Sequence, residues 1–259
     1  MKISIITATY NRADTIRDTI ESILSQTYQE WEHIIVDGAS SDRTLEIIDE
    51  YRDLYRGRIK IISEKDNGIY DAMNKGIAMA SGDIIGILNS DDLYFDDEVL
   101  DSIHNAFAND SIDAIYGGIV VSSSNDLNKI IRIKRGSEYP NGGFRTGWHP
   151  AHPSFYVKND VYKRFGSFDL NFGTAADMEI MIRFIERHHI KSVFIPKIMV
   201  KMRFGGASNS SVKAILRSNK QVLRAFEKNG LAKPNFYLIK KLAPKVGNII
   251  KSKLGLAKI

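Results

Sequence analysis

The first 110 residues predict an α/β fold: a largely parallel sheet with helices on both faces. Three observations carry this. Four short apolar runs are each followed by a segment of helical periodicity. The runs are continuous rather than alternating, as in strands buried on both faces. Each run ends in polar residues, and sheets of this kind bind ligands at the carboxyl ends of their strands.

The first run, residues 3–6, turns polar at Thr7, too early for the apolar core of a signal peptide, and reads as a buried strand. Asp14 is placed to cap a helix whose apolar face is Ile16, Ile20, Ile23 and Leu24. The second run, 33–36, leads into Asp37-Gly38-Ala39-Ser40-Ser41-Asp42 and a helix with Leu45 and Ile48. The third, 59–62, passes through a loop at 64–68 into a helix with Ile69, Met73 and Ile77 as its core face. The fourth, 84–88, leads to Asn89-Ser90-Asp91-Asp92 and a helix with Val99, Ile103 and Phe107.

The second half is less regular. Strands are expected over 115–121 and 130–133, around a Ser/Asn loop. The Gly-, Pro- and aromatic-rich stretch 136–153 reads as a mobile loop. A short strand over 154–157 and a helix over 175–187, with Ile180, Met181, Phe184 and Ile185 inward, precede strands at 193–195 and 198–202.

Composition narrows the chemistry. The 259 residues include no cysteine, which removes disulfides, iron–sulfur clusters and thiolate zinc sites and leaves any metal to oxygen or imidazole ligands. No stretch is apolar over the length of a membrane span. There is no Walker loop, no GxGxxG and no Gly-x-Ser-x-Gly elbow, which disfavours kinases, dinucleotide oxidoreductases and α/β-hydrolases. The net charge of +5 hides a division. Residues 213–259 hold twelve basic residues and one acid, Glu227, whereas residues 1–212 are net −6.

Candidate site residues sit at the strand ends. Two adjacent carboxylates, Asp91 and Asp92, repel each other unless a cation or donor offsets them, and oxygen ligands there suit Mg²⁺ or Mn²⁺. The plainer reading is a pair of first-turn helix acids. Asp37 is placed to accept from a nucleobase or ribose, and Tyr10 offers an aromatic face for a base. Asp66 and Lys75 are candidate ligand contacts, Lys75 for a phosphate, with a solvated charged face as the plainer reading of both. His149 and His152, between prolines, read first as loop-shaping residues.

Five segments together resemble the family 2 glycosyltransferases, inverting enzymes of the GT-A fold. They are SIITATYNR at 4–12, WEHIIVDGASSDRT at 31–44, EKDNGIYDAMNKGIAMASGDIIGILNSDD at 64–92, HPSFYV at 152–157 and FGTAADMEIMIR at 172–183. They look most similar to bacterial members that build capsule, O-antigen or colanic-acid-type polysaccharide. The resemblance implies a nucleotide-sugar-binding half at 1–110 and an acceptor half at 111–212. It places Thr9, Tyr10, Asn11, Asp37, Asp66 and Lys75 around the nucleotide, Asp91 on the ribose or metal, and Asp92 as the direct ligand of Mn²⁺ or Mg²⁺. Asp177 falls where the family has its general base, but Ala176 stands where the family has Glu, which leaves Glu179 as an alternative. His152 and Arg203 would lie on the acceptor or diphosphate side.

The function so implied is metal-dependent transfer from a nucleotide-diphosphate sugar, with UDP favoured, to a lipid-linked or other glycan acceptor. The rivals are a non-catalytic nucleotide-sugar-binding homologue and a sugar-phosphate nucleotidyltransferase. The latter usually carries a Gly-rich, cationic loop after its first strand, and 7–12 is not one. In 213–259, apolar residues every three to four positions among lysines describe an in-plane membrane helix that would hold the protein on the cytoplasmic, anionic membrane face. The alternative is a helix pair packed on the body. The tail lacks the aromatic interleaving that nucleic-acid binding would need.

Overall fold

The computed structural model describes residues 1–140, 142–205, 212–235 and 237. Strands β1 (Ile3–Thr9), β2 (Trp31–Asp37), β3 (Ile59–Ser63) and β4 (Ile84–Ile87) are parallel and lie side by side as β3-β2-β1-β4. In register, Thr9 lies opposite Asp37 and Asp37 opposite Ser63, so three carboxyl ends finish level. The apolar runs of β1, β2 and β4 are buried, that of the edge strand β3 is half-buried, and the polar residues that end them form one edge.

Helices α1 (Ile16–Leu24), α2 (Thr44–Glu50), α3 (Ile69–Met79) and α4 (Val99–Ala106) are the crossovers. α1, α2 and α4 cover one face of the sheet, burying Ile16, Ile20, Ile23, Ile47, Val99 and Ile103. α3 packs on the other through Ala72, Met73 and Ile77. Ile69 is 48% exposed, so the core face of α3 starts a turn later than the periodicity predicts. Asp14 is not the cap of α1. Thr15 occupies that position, and its hydroxyl donates instead to the Ser90 carbonyl (2.8 Å).

The second half of the chain extends the sheet with mixed pairing. β8 (Tyr156–Lys158) lies antiparallel between β4 and β6 (Ala114–Ser122). β6 runs parallel to β9 (Ser192–Arg203), and β9 is antiparallel to β5 (Leu93–Tyr94). The two strands expected around Pro196 are one, because an irregularity in the β6–β9 register opposite Gly117 and Gly118 absorbs the missing donor. β7 (Ile130–Lys134) pairs antiparallel with β6.

Stretch 136–153 is packed rather than loose. It forms α5 (Gly143–Thr146), buries Phe144 completely, and sets Trp148 edge-on to Tyr116 with ring centroids 5.8 Å apart. Its aromatics have apolar surface to bury, which outweighs the loop-forming Gly and Pro. α6 (Asn159–Phe165) follows β8, and α7 (Ala176–Met181) continues into a π turn, Ile182–Arg187.

The basic segment does not begin a separate body at 213. In α8 (Val212–Lys228), Val222, Ala225 and Phe226 are buried in the same core as α3 and α7, and Tyr237 joins them. Lys228 pairs with Asp169, and Lys233 with Glu227 at 3.0 Å. Over 219–237 the packed alternative therefore holds. The second amphipathic stretch, 238–254, lies outside the described residues.

Candidate active site

Gly38 brings two predicted residues, Asp66 and Tyr10, together. A Cβ there would stand 2.6 Å from the Asp66 carboxylate and 3.4 Å from the Tyr10 ring, so a larger residue would have to push the Asp66 carboxylate aside. Tyr10 is 58% exposed and presents its face beside that gap. Asp66 accepts from the Gly68 amide at 2.8 Å, where φ of +106° suits glycine, and this turn starts α3. Asp37 has a different position from the one its motif implies. It is fully buried and accepts from the Ser40 amide (2.9 Å), the Ser63 hydroxyl (2.6 Å) and the Ser40 hydroxyl. Its carboxylate organises the turn that sets Gly38 in place.

Asn11 likewise holds the edge together. Its backbone lies in the left-handed region at φ 50°, and its side chain accepts from the Ser41 amide at 2.9 Å. Thr9 is buried, with its hydroxyl unpartnered. Lys75 pairs with Glu64 at 2.7 Å and donates to the Lys65 carbonyl at 3.0 Å, binding α3 to its own loop.

The Asn89–Asp92 loop is fastened by threonines. Thr7 donates to the Leu88 carbonyl, Thr15 to that of Ser90 and Thr19 to that of Asp92, each at 2.8 Å. Thr15 and Thr19 stand four apart on the face of α1 that meets this loop. That spacing was legible in the sequence and not used. Asp92 is only 2% exposed, and burial, then the charge of Asp91, push its carboxyl up to about 7. It accepts from Asn89 Nδ2 at 2.9 Å, and the backbone amide of Arg203 faces it. Asn89 Oδ1 is buried without a donor. A buried, partly uncompensated carboxylate beside half-buried Asp91 and an orphaned amide oxygen is a donor set that suits a hard divalent cation. Asp91 and Asp92 would hold it.

Arg203 pairs with Asp18 and points Nη1 at the Ser124 carbonyl (3.4 Å), while its Nε is buried without a partner. A cleft of about 260 Å³ runs from Asn11, Arg12 and Thr15 past Asp91 to Arg203 and Gly205. A second cleft, of about 380 Å³, lies at the opposite ends of β1 and β2 around Lys2 and Glu32. Glu32 is buried there by structural ion pairs with Lys2 and Lys60, both at 3.0 Å. Position on the ligand-binding edge, rather than size, selects the first cleft.

Asp177 opens α7 and accepts from the Met178 amide at 2.7 Å. The Tyr70 hydroxyl lies against it, and burial, then the Asp177 charge, raise the Tyr70 pKa, so the phenol remains a donor. The Tyr70 and Phe168 ring centroids are 5.2 Å apart, and His152 stands edge-on to Phe168 at 5.7 Å. Burial holds the His152 imidazole below its ordinary pKa, with Asp177 opposing. Asn74 clamps the Phe168 backbone from both sides, donating to its carbonyl and accepting from its amide at 2.9 Å each. Sequence reasoning passed over Tyr70 and Asn74, although their four-residue spacing put both on one face of α3.

Glu179 is excluded as the alternative base by its partners. It is fully buried, paired with Arg183 at 3.0 Å, and accepts from Asn229 Nδ2 at 3.1 Å. Arg183 in turn donates to the carbonyls of Gly166 (3.0 Å) and Ser167 (2.6 Å). Glu179→Gln should leave this guanidinium buried without its counter-charge and cost about 3–5 kcal/mol in denaturant unfolding. An unchanged midpoint would contradict that structural role.

Comparison with known proteins agrees with this geometry. The model of the family "Glycosyl transferase family 2" matches residues 4–167. A PGL/p-HBAD biosynthesis glycosyltransferase of Mycobacterium bovis is 26% identical over 218 residues, covering 81% of this chain and 80% of its own. The glycosyltransferase Rv1514c of Mycobacterium tuberculosis is 30% identical over 188 residues, covering 70% and 68%. In structure, S. aureus TarS 1-349 in complex with UDP superposes with a TM-score of 0.67 at 17% identity, covering 94% of this chain and 72% of its own. The mannosyltransferase PcManGT of Pyrobaculum calidifontis, in complex with GDP-Man and Mn²⁺, gives 0.63 at 18%, covering 99% and 76%. The strand ends, the acid pair and the family match converge: the chain belongs to glycosyl transferase family 2 and is a glycosyltransferase of the GT-A fold.

Proposed function

We propose that this enzyme moves a sugar from a nucleoside diphosphate donor, a UDP-sugar, to a hydroxyl of a lipid-linked glycan, with inversion, in the assembly of a bacterial cell-surface polysaccharide. The observation that carries the reading is the arrangement of the sheet edge. Tyr10, Gly38 and Asp66 form a slot for a base, the cleft past Asp91 leads to Arg203, and Asp177 stands on the acceptor half. UDP is favoured because TarS is known in complex with UDP and with UDP-GlcNAc, although PcManGT carries GDP-Man.

In the transfer, the acceptor oxygen attacks the anomeric carbon as the bond from that carbon to the diphosphate oxygen breaks. The electron pair leaves with the diphosphate, and the acceptor proton passes to the Asp177 carboxylate. Tyr70 orients that carboxylate, and Asn74 holds the Phe168 wall beside it. A divalent cation, Mn²⁺ or Mg²⁺, would neutralise charge on the leaving diphosphate when bound by Asp91 and Asp92. Arg203 supplies fixed positive charge at the same edge. The lipid-linked acceptor places the enzyme on the cytoplasmic membrane face, where the lysines of 238–259 add attraction to anionic lipid.

Thermal unfolding with a panel of nucleoside diphosphate sugars, with and without Mn²⁺, tests the donor. A ligand at about a hundred times its Kd stabilises the native state by about 2.7 kcal/mol. A UDP-sugar with Mn²⁺ should raise the midpoint most and release UDP when acceptor is added. No shift and no nucleotide release with any donor would overturn the reading.

A further inference from the structure

The strand β7 carries a surface that the transfer reaction does not use. Ile130, Ile131 and Ile133 are 46%, 48% and 47% exposed, on a strand only five residues long. Apolar side chains therefore stand on both of its faces. Lys129, Arg132 and Arg135 are exposed among them, and none makes an ion pair among the described residues. The residues not described contain no Asp or Glu, so no acidic side chain outside the described residues can neutralise them. Asp126, in the turn, is the one acid of the hairpin, and it accepts from the Asn128 amide at 2.9 Å.

We infer that the β6–β7 hairpin is a membrane-docking surface that seats the enzyme on an anionic leaflet, with its isoleucines in the interface and its cations among the headgroups. The inference rests on the proposed lipid-linked acceptor. Exposed aliphatic side chains interleaved with uncompensated cations are what such a surface recognises. Single-stranded nucleic acid would instead call for aromatic platforms, and the strand has none. A second copy is disfavoured by charge. Antiparallel pairing about the free edge of β7 would set Arg132 against its own equivalent.

Position gives the surface its use. Ile130 lies opposite Ser122 of β6, and Ser122 opposite Arg203 of β9. Two interstrand spacings, about 10 Å, thus separate the isoleucines from the mouth of the cleft. Phe204, 57% exposed, lies beside that mouth and donates its amide to the Ser122 carbonyl at 2.8 Å. A lipid-linked acceptor held in the leaflet would meet the site at this edge.

The test is co-sedimentation of the full chain with vesicles of phosphatidylcholine containing about 30 mol% phosphatidylglycerol. The triple variant Ile131→Ser/Arg132→Glu/Ile133→Ser should lose binding by about tenfold or more, with UDP release to a water-soluble acceptor unchanged. Lys129→Glu/Arg135→Glu, which leaves the strand itself intact, should do the same and guards against misfolding of the first. Wild-type partition in both variants would overturn the inference and assign vesicle binding to 238–259. Equal binding of the native protein to pure phosphatidylcholine would also overturn it. So would a native dimer that the triple variant dissociates while vesicle binding persists. If the native protein binds vesicles but turns over no nucleoside diphosphate sugar, the surface stands and the proposed function falls.

Discussion

Asp92→Asn is expected to abolish transfer and yet to make the metal-free protein more stable. The physical reason is burial. Asp92 is 2% exposed beside a second carboxylate, and its one side-chain donor is Asn89 Nδ2. The folded carboxyl titrates near 7 against 3.8 in the unfolded chain. Between those values the folded state binds the additional proton. Stability from this group is therefore complete below about pH 3.8 and is lost as the pH rises through 7. By this reckoning, ionised Asp92 costs on the order of 4 kcal/mol above pH 7. An asparagine keeps an acceptor for Asn89 and offers a donor to Asp91 or to the orphaned Asn89 Oδ1.

In EDTA the variant should melt roughly 8 °C above wild type at pH 8, with the gap closing toward pH 4. His33, held near 3 by burial and hydrogen-bonded to Tyr55 (2.7 Å) and Thr7 (2.8 Å), titrates alike in both proteins and cancels from the difference. With Mn²⁺ and donor the order should reverse, because only the carboxylate retains a full charge for the cation. Turnover should fall by about a hundredfold or more. A variant less stable than wild type at pH 8 without metal would show that Asp92 is compensated within the protein.

The first 110 residues were legible because their signals are local. Each strand is one apolar run, each crossover helix one periodic stretch, and parallel order follows from the alternation. The rest of the sheet was not, because its pairings are distant. β8 enters between β4 and β6, and β9 comes back along β6 some seventy residues later. The same distinction separates the site residues. Asp66 and Tyr10 come side by side because their turns approach each other around one glycine. The Lys75 pairing was not legible because Glu64, eleven residues earlier, meets it only through the turn that starts α3. Asp37 was credited with an open carboxylate because nothing local reveals that Ser63, on the next strand, would close it. The basic tail misled for a related reason. A net charge of +11 over 213–259 conceals Val222, Ala225 and Phe226, which belong to the core.

Asp177→Asn is expected to remove most of the chemistry and almost nothing else. The carboxylate begins a helix turn and takes one backbone amide, Met178 at 2.7 Å, which an asparagine oxygen accepts equally well. Tyr70 can donate to the same oxygen, so the Tyr70–Phe168–His152 wall has no reason to move. What is lost is a proton acceptor. A positioned base is worth about 10²–10⁴ in rate, and kcat should fall within that range while KM for the donor and the donor-induced rise in melting temperature stay as they were. The contrast with Glu179, two residues on, makes this decisive. Its carboxylate neutralises a buried guanidinium, so Glu179→Gln should lower the melting temperature and lose activity only in proportion to unfolded protein. One substitution thus separates rate from stability, and its neighbour ties them together. Wild-type kcat in Asp177→Asn, measured with true donor and acceptor, would take the proton away from Asp177 altogether. His152 would then be the candidate left, since burial keeps its imidazole neutral and it stands on the same wall.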